Sequence, residues 1–307
     1  MARGIGTAAA GRRRGYLAIA AAAGVGLFAW TIASVGAREL VSQLRALAPI
    51  VAFILALAGA RFWLQAAGWR LAMQPAERPT WPELFAAVVA GEAAGYFAWG
   101  AVSREPMKAL LVGHRLPERA ALGAAVVERF YYSIAATALI VAGIALAAVR
   151  YHFVGWFLVG SLVTIAVALS AKRWCARFSA GGARDRSTTA ALVGLALAQE
   201  ATNLVEAYLV LAWLGAAPTI ASVVVLEGVS RLLNSAGQFI PGKLGVTEAA
   251  TTALAQSLSL GGPQGLSLAL ARRARSLVWG AAGIGLLAVR AAGQAAAVPV
   301  PQERMAA

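Results

Sequence analysis

The sequence is poor in the residues that most enzyme and metal sites require. Its 307 residues include one cysteine, Cys175, two histidines, His114 and His152, and one aspartate, Asp185. A single cysteine excludes an intramolecular disulfide and a multi-cysteine metal site, and the two histidines have no partner pattern. Zinc motifs, a Walker loop and a Gly-x-Ser-x-Gly elbow are missing, as is the aspartate-rich magnesium site of membrane prenyltransferases. No cofactor or metal is predicted, and nothing in the sequence favours an enzyme.

Charged residues are also scarce, at 13%, whereas 60% of the residues are hydrophobic and the mean hydropathy is +0.70. A soluble domain carries about 25% charged residues. Apolar runs of roughly 20 residues, long enough to cross a bilayer, recur along the chain. The predicted spans are Tyr16–Val35, Leu47–Gly68, Trp81–Trp99, Arg119–Val149, Phe153–Ala171, Thr188–Leu214, Thr219–Ile240 and Gly265–Val289, with a shorter run at Val246–Leu260. We expect an all-α integral membrane protein with seven to nine transmembrane helices over residues 16–292, between disordered termini at 1–15 and 293–307.

The net charge of +14 indicates membrane topology rather than a nucleic-acid partner, because basic residues concentrate in cytoplasmic loops. Arg12–Arg14 favour a cytoplasmic N-terminus, with an uncleaved first span. The basic residues of the loop Lys172–Ser187 indicate that it is cytoplasmic too. Counting the predicted full spans, however, places this loop on the side of the membrane opposite to the N-terminus. A half-crossing at Ser103–Arg115 would remove that conflict. Arginine greatly outnumbers lysine, which is typical of a GC-rich bacterial genome, and we expect a location in the bacterial inner membrane.

The segment Phe239–Glu248 interrupts two apolar runs with residues that a bilayer normally excludes. It contains Pro241, Gly242, Lys243 and Gly245 and ends at a glutamate. Freed backbone groups and ionised side chains find no water in the hydrocarbon core, so they persist where they line a cavity or bind a ligand. This segment is therefore a candidate substrate site.

Further charged residues lie within the apolar runs. Glu128 and Arg129 fall near mid-bilayer and, being adjacent, require separate partners. Glu227 and Arg231 are spaced to pair on one helix, and Asn234 continues nearly the same face. Structural ion pairs between helices and a polar internal cavity both explain such a set, and the number of charges favours the cavity. The candidate substrate-binding residues are Arg104, Glu105, Lys108, Glu128, Arg129, Glu227, Arg231, Asn234, Pro241, Gly242, Lys243, Gly245, Glu248, Arg272 and Arg273.

The two halves of the sequence also resemble each other weakly. In each half a short helix with an early glutamate, Glu105 or Glu248, precedes a long span with charges about ten residues in, Glu128–Arg129 or Arg272–Arg273. Paired short or broken helices at corresponding positions are typical of transporters with internal repeats. We expect the helix N-termini at Glu105 and Glu248, with the basic residues beside them, to suit an anion such as a lipid phosphate.

These motifs resemble a known family. Residues Ile240–Ala249 are similar to the Pro-Gly-Gly-Leu-Gly-x-x-Glu signature of the lysylphosphatidylglycerol synthase transmembrane family, also called flippase-like proteins. Gly68–Leu71, Ser103–Lys108 and Val127–Arg129 resemble further motifs of that family in the same order, and Lys243 stands where glycine is common. The resemblance implies a flippase-like unit without the aminoacyl-transferring domain of the full-length synthases.

Three functions stay open at this point. The resemblance favours a lipid translocase or lipid-binding protein for an anionic phospholipid, glycolipid, polyprenyl phosphate or hopanoid-type lipid. A membrane transferase acting on a lipid-linked phosphate would use a carboxylate such as Glu248 or Glu128 as its base. An accessory scaffold would bind a protein partner, and the sequence identifies no such partner.

Overall fold

The computed structural model describes residues 45, 47–75, 78–97, 101–151, 185–236 and 246–296. Within these ranges every regular element is an α-helix, in agreement with the predicted fold class. The helices are α1 (Ala48–Ala72), α2 (Trp81–Phe97), α3 (Ala101–Val112), α4 (Glu118–Tyr151), α5 (Arg186–Trp213), α6 (Ile220–Ala236), α7 (Val246–Ser257) and α8 (Gly262–Ala296). The predicted spans Tyr16–Val35 and Phe153–Ala171 lie outside the described residues. Helix α8 continues to Ala296, into the region predicted as a tail.

Two described helices are long and apolar enough to cross a membrane by length and composition, namely α1 and the part of α4 from Glu118 to Val149. Large apolar side chains on the described helices point outward, among them Phe53, Trp63 and Ile134. Such a surface is costly in water and suits a hydrocarbon environment.

Capping side chains and turns define several helix ends. Asp185 caps α5 by accepting a hydrogen bond from the Thr188 backbone N–H at 3.0 Å. Thr219 and Ser222 bond each other's backbone N–H at the start of α6. After α7 the chain turns through Ser259 and Gly261, both with positive φ, before α8 begins.

The buried apolar residues form two clusters. The first surrounds Trp69 and draws mainly on α1 to α4. The second includes Leu211, Leu226 and Leu268 and draws mainly on α5 to α8. Each half of the described chain therefore has a core of its own, completed by a few residues of the other half.

The contacts between helices repeat in the two halves. If α1, α2, α3 and α4 change places with α5, α6, α7 and α8, respectively, each substantial helix–helix contact corresponds to an observed one. The contact of α2 with α3 corresponds to that of α6 with α7, and α3 with α4 to α7 with α8. Across the halves, α4 packs on α6 and α8 packs on α2, while α1 and α5 pack on each other. The remaining substantial contacts also correspond in pairs. This is the packing pattern expected of a repeated four-helix unit.

Small residues allow the two halves to approach closely. Where α4 crosses α6, a Cβ atom added to Gly228 would lie 2.6 Å from the carbonyl oxygen of Leu139 and 3.0 Å from the Cα of Gly143. Where α8 crosses α2, a Cβ on Gly283 would lie 2.7 Å from the carbonyl oxygen of Val89. Close backbone contact at small residues is a common means of helix association in membranes.

Candidate functional site

The first half of the chain holds a cluster of charges between α2, α3 and α4. Arg104 Nη1 lies 3.1 Å from Glu92 Oε1. Lys108 Nζ lies 2.7 Å from Glu105 Oε2 and 3.8 Å from Glu128 Oε2. We call Glu105, Lys108 and Glu128 the buried triad, because the lysine is fully buried and the two glutamates are 7% and 3% exposed.

Packing fixes the position of the triad closely. The Lys108 ammonium lies 5.7 Å from the ring centroid of Trp69, whose indole N–H donates to a backbone carbonyl of α4. Gly91 makes room for the lysine, since a Cβ there would lie 2.6 Å from Lys108 Cγ. Gly68 does the same for Glu128, at 3.1 Å from its Cγ. The glycine of the Gly68–Leu71 motif thus supports the site from α1.

The second half holds a larger cluster built around Arg272 of α8. Its Nε lies 3.2 Å from Glu206 of α5, and its Nη2 lies 2.7 Å from Glu227 of α6. The other carboxylate oxygen of Glu206 pairs with Arg275. Arg272 therefore joins three helices, and Glu206 neutralises two arginines one turn apart on α8.

Two further ion pairs extend this cluster. Arg231 of α6 lies 2.5 Å from Glu200 of α5 and 3.4 Å from the hydroxyl of Tyr132 on α4. Arg273 of α8 pairs with Glu248 in the first turn of α7. We call Arg231, Arg272 and Arg275 the arginine cluster.

The arginines of this cluster are more accessible than the acids that hold them. The side chains of Arg231 and Arg272 are 21% and 20% exposed, whereas those of Glu200, Glu206 and Glu227 are at most 5% exposed. The buried carboxylates thus act as counterions to arginine side chains that are partly exposed. Guanidinium groups bind carboxylates and phosphates through the same forked donors, so this arrangement can exchange one anion for another.

Two predicted details of the site are wrong. Glu227 pairs with Arg272 on another helix rather than with Arg231 on its own helix. Glu105 does not begin its short helix, because α3 starts at Ala101 and places Glu105 in its second turn. The N-terminal N–H groups of α3 therefore lie a turn away from this carboxylate. Glu128 and Arg129 make separate contacts: Glu128 lies near Lys108 and Gln199, and the Arg129 guanidinium lies 4.5 Å from the ring centroid of Tyr132 on the same helix.

Several predicted site residues fall outside the description. Pro241, Gly242, Lys243 and Gly245 lie outside the described residues, as does the side chain of Asn234. Arg273 and Glu248 are brought together where α8 packs on the first turn of α7, whereas the neighbouring Arg272 pairs with α5 and α6. Within the described ranges the site charges meet partners on their own or on neighbouring helices directly, and the polar cavity stays a prediction.

The predicted substrate-binding set missed the contribution of α5. Gln199, Glu200, Asn203 and Glu206 are all buried on that helix and face the charged clusters. Gln199 Nε2 lies 3.5 Å from Glu128 Oε1, so α5 touches both halves of the network. The signal was present in the sequence as polar residues at helical spacing within an apolar run.

Comparison with known proteins identifies the family. No curated protein and no solved structure matches the chain at a significant level. The family model described as the lysylphosphatidylglycerol synthase TM region matches residues 17–285, which is most of the chain. That range includes both charged clusters and the Phe239–Glu248 segment. The protein belongs to the lysylphosphatidylglycerol synthase TM region family.

Proposed function

We propose that this membrane protein is a flippase-like lipid translocase that binds the anionic head group of a lipid at the arginine cluster. The observation that carries the proposal is the unequal exposure within the ion pairs. The side chains of Arg231 and Arg272 are about one-fifth exposed, while the carboxylates that pair with them are buried. Membership of a membrane family of lipid metabolism supports a lipid as the ligand.

Binding would proceed by exchange of anions. In the structure Glu200, Glu206 and Glu227 neutralise the arginines, which avoids the cost of unpaired charge in a low-dielectric setting. A lipid phosphate would replace part of these contacts with charge-assisted hydrogen bonds of similar strength. A ligand that exchanges with internal counterions binds weakly enough to be released, which transport requires.

The repeated packing suggests how a bound head group would move. Substrates of repeat-containing transporters bind between the two units and become accessible from either side as one unit moves against the other. The arginine cluster lies on α6 and α8, which both cross into the packing of the first half. The proposal extends to the bacterial inner membrane, with the N-terminus in the cytoplasm and no chemical change in the lipid.

The first-half cluster would make a smaller direct contribution to the head group. Arg104 is 18% exposed and could reach an anion. Lys108 is fully buried in the observed state and is closed off from a ligand. The predicted roles of Arg273 and Glu248 in substrate binding rest on their ion pair between α8 and the first turn of α7, where the Phe239–Glu248 segment ends.

Native mass spectrometry of the protein extracted from its own membrane would test the proposal. We expect the intact protein to retain an anionic lipid, and Arg272→Gln to reduce that retention several-fold. Arg119→Gln is the matched control, because it makes the same change of charge at an exposed position near the start of α4. The retained lipid would then be labelled and its transbilayer movement measured in vesicles that contain the purified protein.

Two results would contradict the proposal. Lipid retention that is equal in Arg272→Gln, Arg119→Gln and the unmodified protein would mean that the arginine cluster is structural. This result would favour the accessory scaffold, because direct ion pairs between helices are also compatible with that function. A chemically altered lipid in the vesicles would favour the membrane transferase instead.

A further inference from the structure

The buried triad contains more acid than base. Glu105 and Glu128 share the single ammonium of Lys108, with Nζ at 2.7 Å from Glu105 Oε2 and 3.8 Å from Glu128 Oε2. The shorter distance assigns the lysine to Glu105 and leaves Glu128 as the more weakly compensated carboxyl. Two carboxylates that share one buried site disfavour simultaneous ionisation.

The other charges near Glu128 make their closest contacts with other groups. On α4, Arg129 lies over the Tyr132 ring. On α3, Arg104 pairs with Glu92 of α2, and the positive charge of Arg61 on α1 also acts on Glu92. Helix α5 contributes the neutral amide of Gln199. Among the described residues, Lys108 is therefore the one base within 4 Å of the Glu128 carboxyl group, and Arg129 adds a positive charge at longer range.

The oxygen atoms of Glu128 are also poorly satisfied. Its Oε2 is buried without a hydrogen-bond partner in the described structure, and its Oε1 is 3.5 Å from the Gln199 amide. Glu105 Oε1 is likewise buried without a hydrogen bond there. An ionised carboxylate in this position would carry a large desolvation penalty, whereas a neutral carboxyl group would not.

We propose that Glu128 is a proton-binding site. Its carboxyl group is protonated while Lys108 pairs with Glu105, and it is ionised when Lys108 lies between the two glutamates. With Glu128 protonated, the ammonium pairs with Glu105 as observed. Loss of the proton from the Glu128 carboxyl to water leaves a second carboxylate, which draws Lys108 toward α4. No other bond is formed or broken.

Helix α5 connects this proton site to the arginine cluster. Gln199 contacts Glu128, and the next residue, Glu200, pairs with Arg231. If α5 moves when the charge of Glu128 changes, Glu200 moves with it. That movement would displace the counterion of Arg231, which is proposed to bind the head group. Coupling of lipid movement to a proton gradient rests on the proposed function, whereas proton binding by Glu128 does not.

Infrared difference spectroscopy of the protein in lipid vesicles would test proton binding directly. We expect a titrating carbonyl band of a protonated carboxyl group, shifted in heavy water, that is lost in Glu128→Gln. Glu118→Gln is the control, since Glu118 is an exposed glutamate at the start of the same helix and its loss should leave the band in place. Absence of the band from the unmodified protein, or its persistence in Glu128→Gln, would overturn the inference.

Thermal unfolding supplies a second readout that needs no spectral assignment. Glu128→Gln mimics the protonated carboxyl, so its melting temperature should equal that of the unmodified protein. Lys108→Met removes the shared cation and should lower it clearly. A loss in Glu128→Gln as large as that in Lys108→Met would mean that Glu128 is an ionised structural partner.

A transport assay separates the inference from the proposed function. In vesicles with an imposed pH gradient, lipid movement by the unmodified protein should change several-fold, and Glu128→Gln should not respond to the gradient. A titrating Glu128 without lipid movement would contradict the proposed function alone. Lipid movement with no titrating carboxyl would overturn the proton site alone.

Discussion

Glu206→Gln is the substitution that most sharply separates structural pairing from ligand exchange. The Glu206 side chain is 2% exposed, and its two oxygens pair with different arginines, Arg272 and Arg275. Glutamine has nearly the same shape, but it removes the negative charge and turns an amide group toward a guanidinium donor. Among the described residues, Glu227 is then the carboxylate that remains within ion-pair distance of Arg272.

The expected cost follows from burial. Breaking a buried ion pair by removing one partner costs about 3–5 kcal/mol, because the remaining charge is left uncompensated. At roughly 2 °C per kcal/mol for a large domain, the melting temperature should fall by about 6–10 °C. Glu83→Gln is the control with the same change of charge. It should lower the free energy of unfolding by only about 0–1 kcal/mol, since the contacts of Glu83 with His114 and Arg115 are solvent-exposed.

Tryptophan fluorescence during heating in detergent would follow unfolding of both variants. Native mass spectrometry of the same samples should show increased retention of anionic lipid by Glu206→Gln, because Arg272 and Arg275 lose a competing counterion. A melting temperature no lower than that of Glu83→Gln would refute the burial argument. A large destabilisation without increased lipid retention would refute ligand exchange and leave only structural pairing.

Two further substitutions test the packing that holds the site. Gly228→Ala should destabilise by about 1–3 kcal/mol through overpacking, partly offset by helix propensity, because its Cβ meets backbone atoms of Leu139 and Gly143. Gly194→Ala on α5 is the control, because the new methyl group meets nothing within 4 Å, and it should be neutral or stabilising. Equal melting temperatures of Gly228→Ala and Gly194→Ala would contradict the close crossing of α4 and α6. Trp69→Phe should cost about 0.5–1.5 kcal/mol by losing its buried hydrogen bond to α4, and an unchanged melting temperature would show that this bond contributes nothing.

Hydropathy in the sequence determined the helical class and most helix positions. The predicted run Arg119–Val149 agrees closely with α4, and Thr188–Leu214 with α5, because long apolar runs have few alternatives to a helix in a bilayer. A short helix, α3, covers most of Ser103–Arg115, and its half-crossing of the membrane stays a prediction. Composition and helix-breaking residues are local properties, so they can be recognised directly in a single sequence.

Partner choice among the charges was decided by tertiary structure. Spacing along one helix predicted a pair between Glu227 and Arg231, yet each meets a residue from another helix. Helical spacing gives the geometry of neighbours on a helix, but it does not determine the rotation that brings Glu206 between Arg272 and Arg275. That rotation is set by packing, in which glycines admit close crossings and buried carboxylates require cations within a few ångströms. The sequence therefore determined that charges would lie within the membrane domain, and only the packed helices determined which charges compensate one another and which face accessible space.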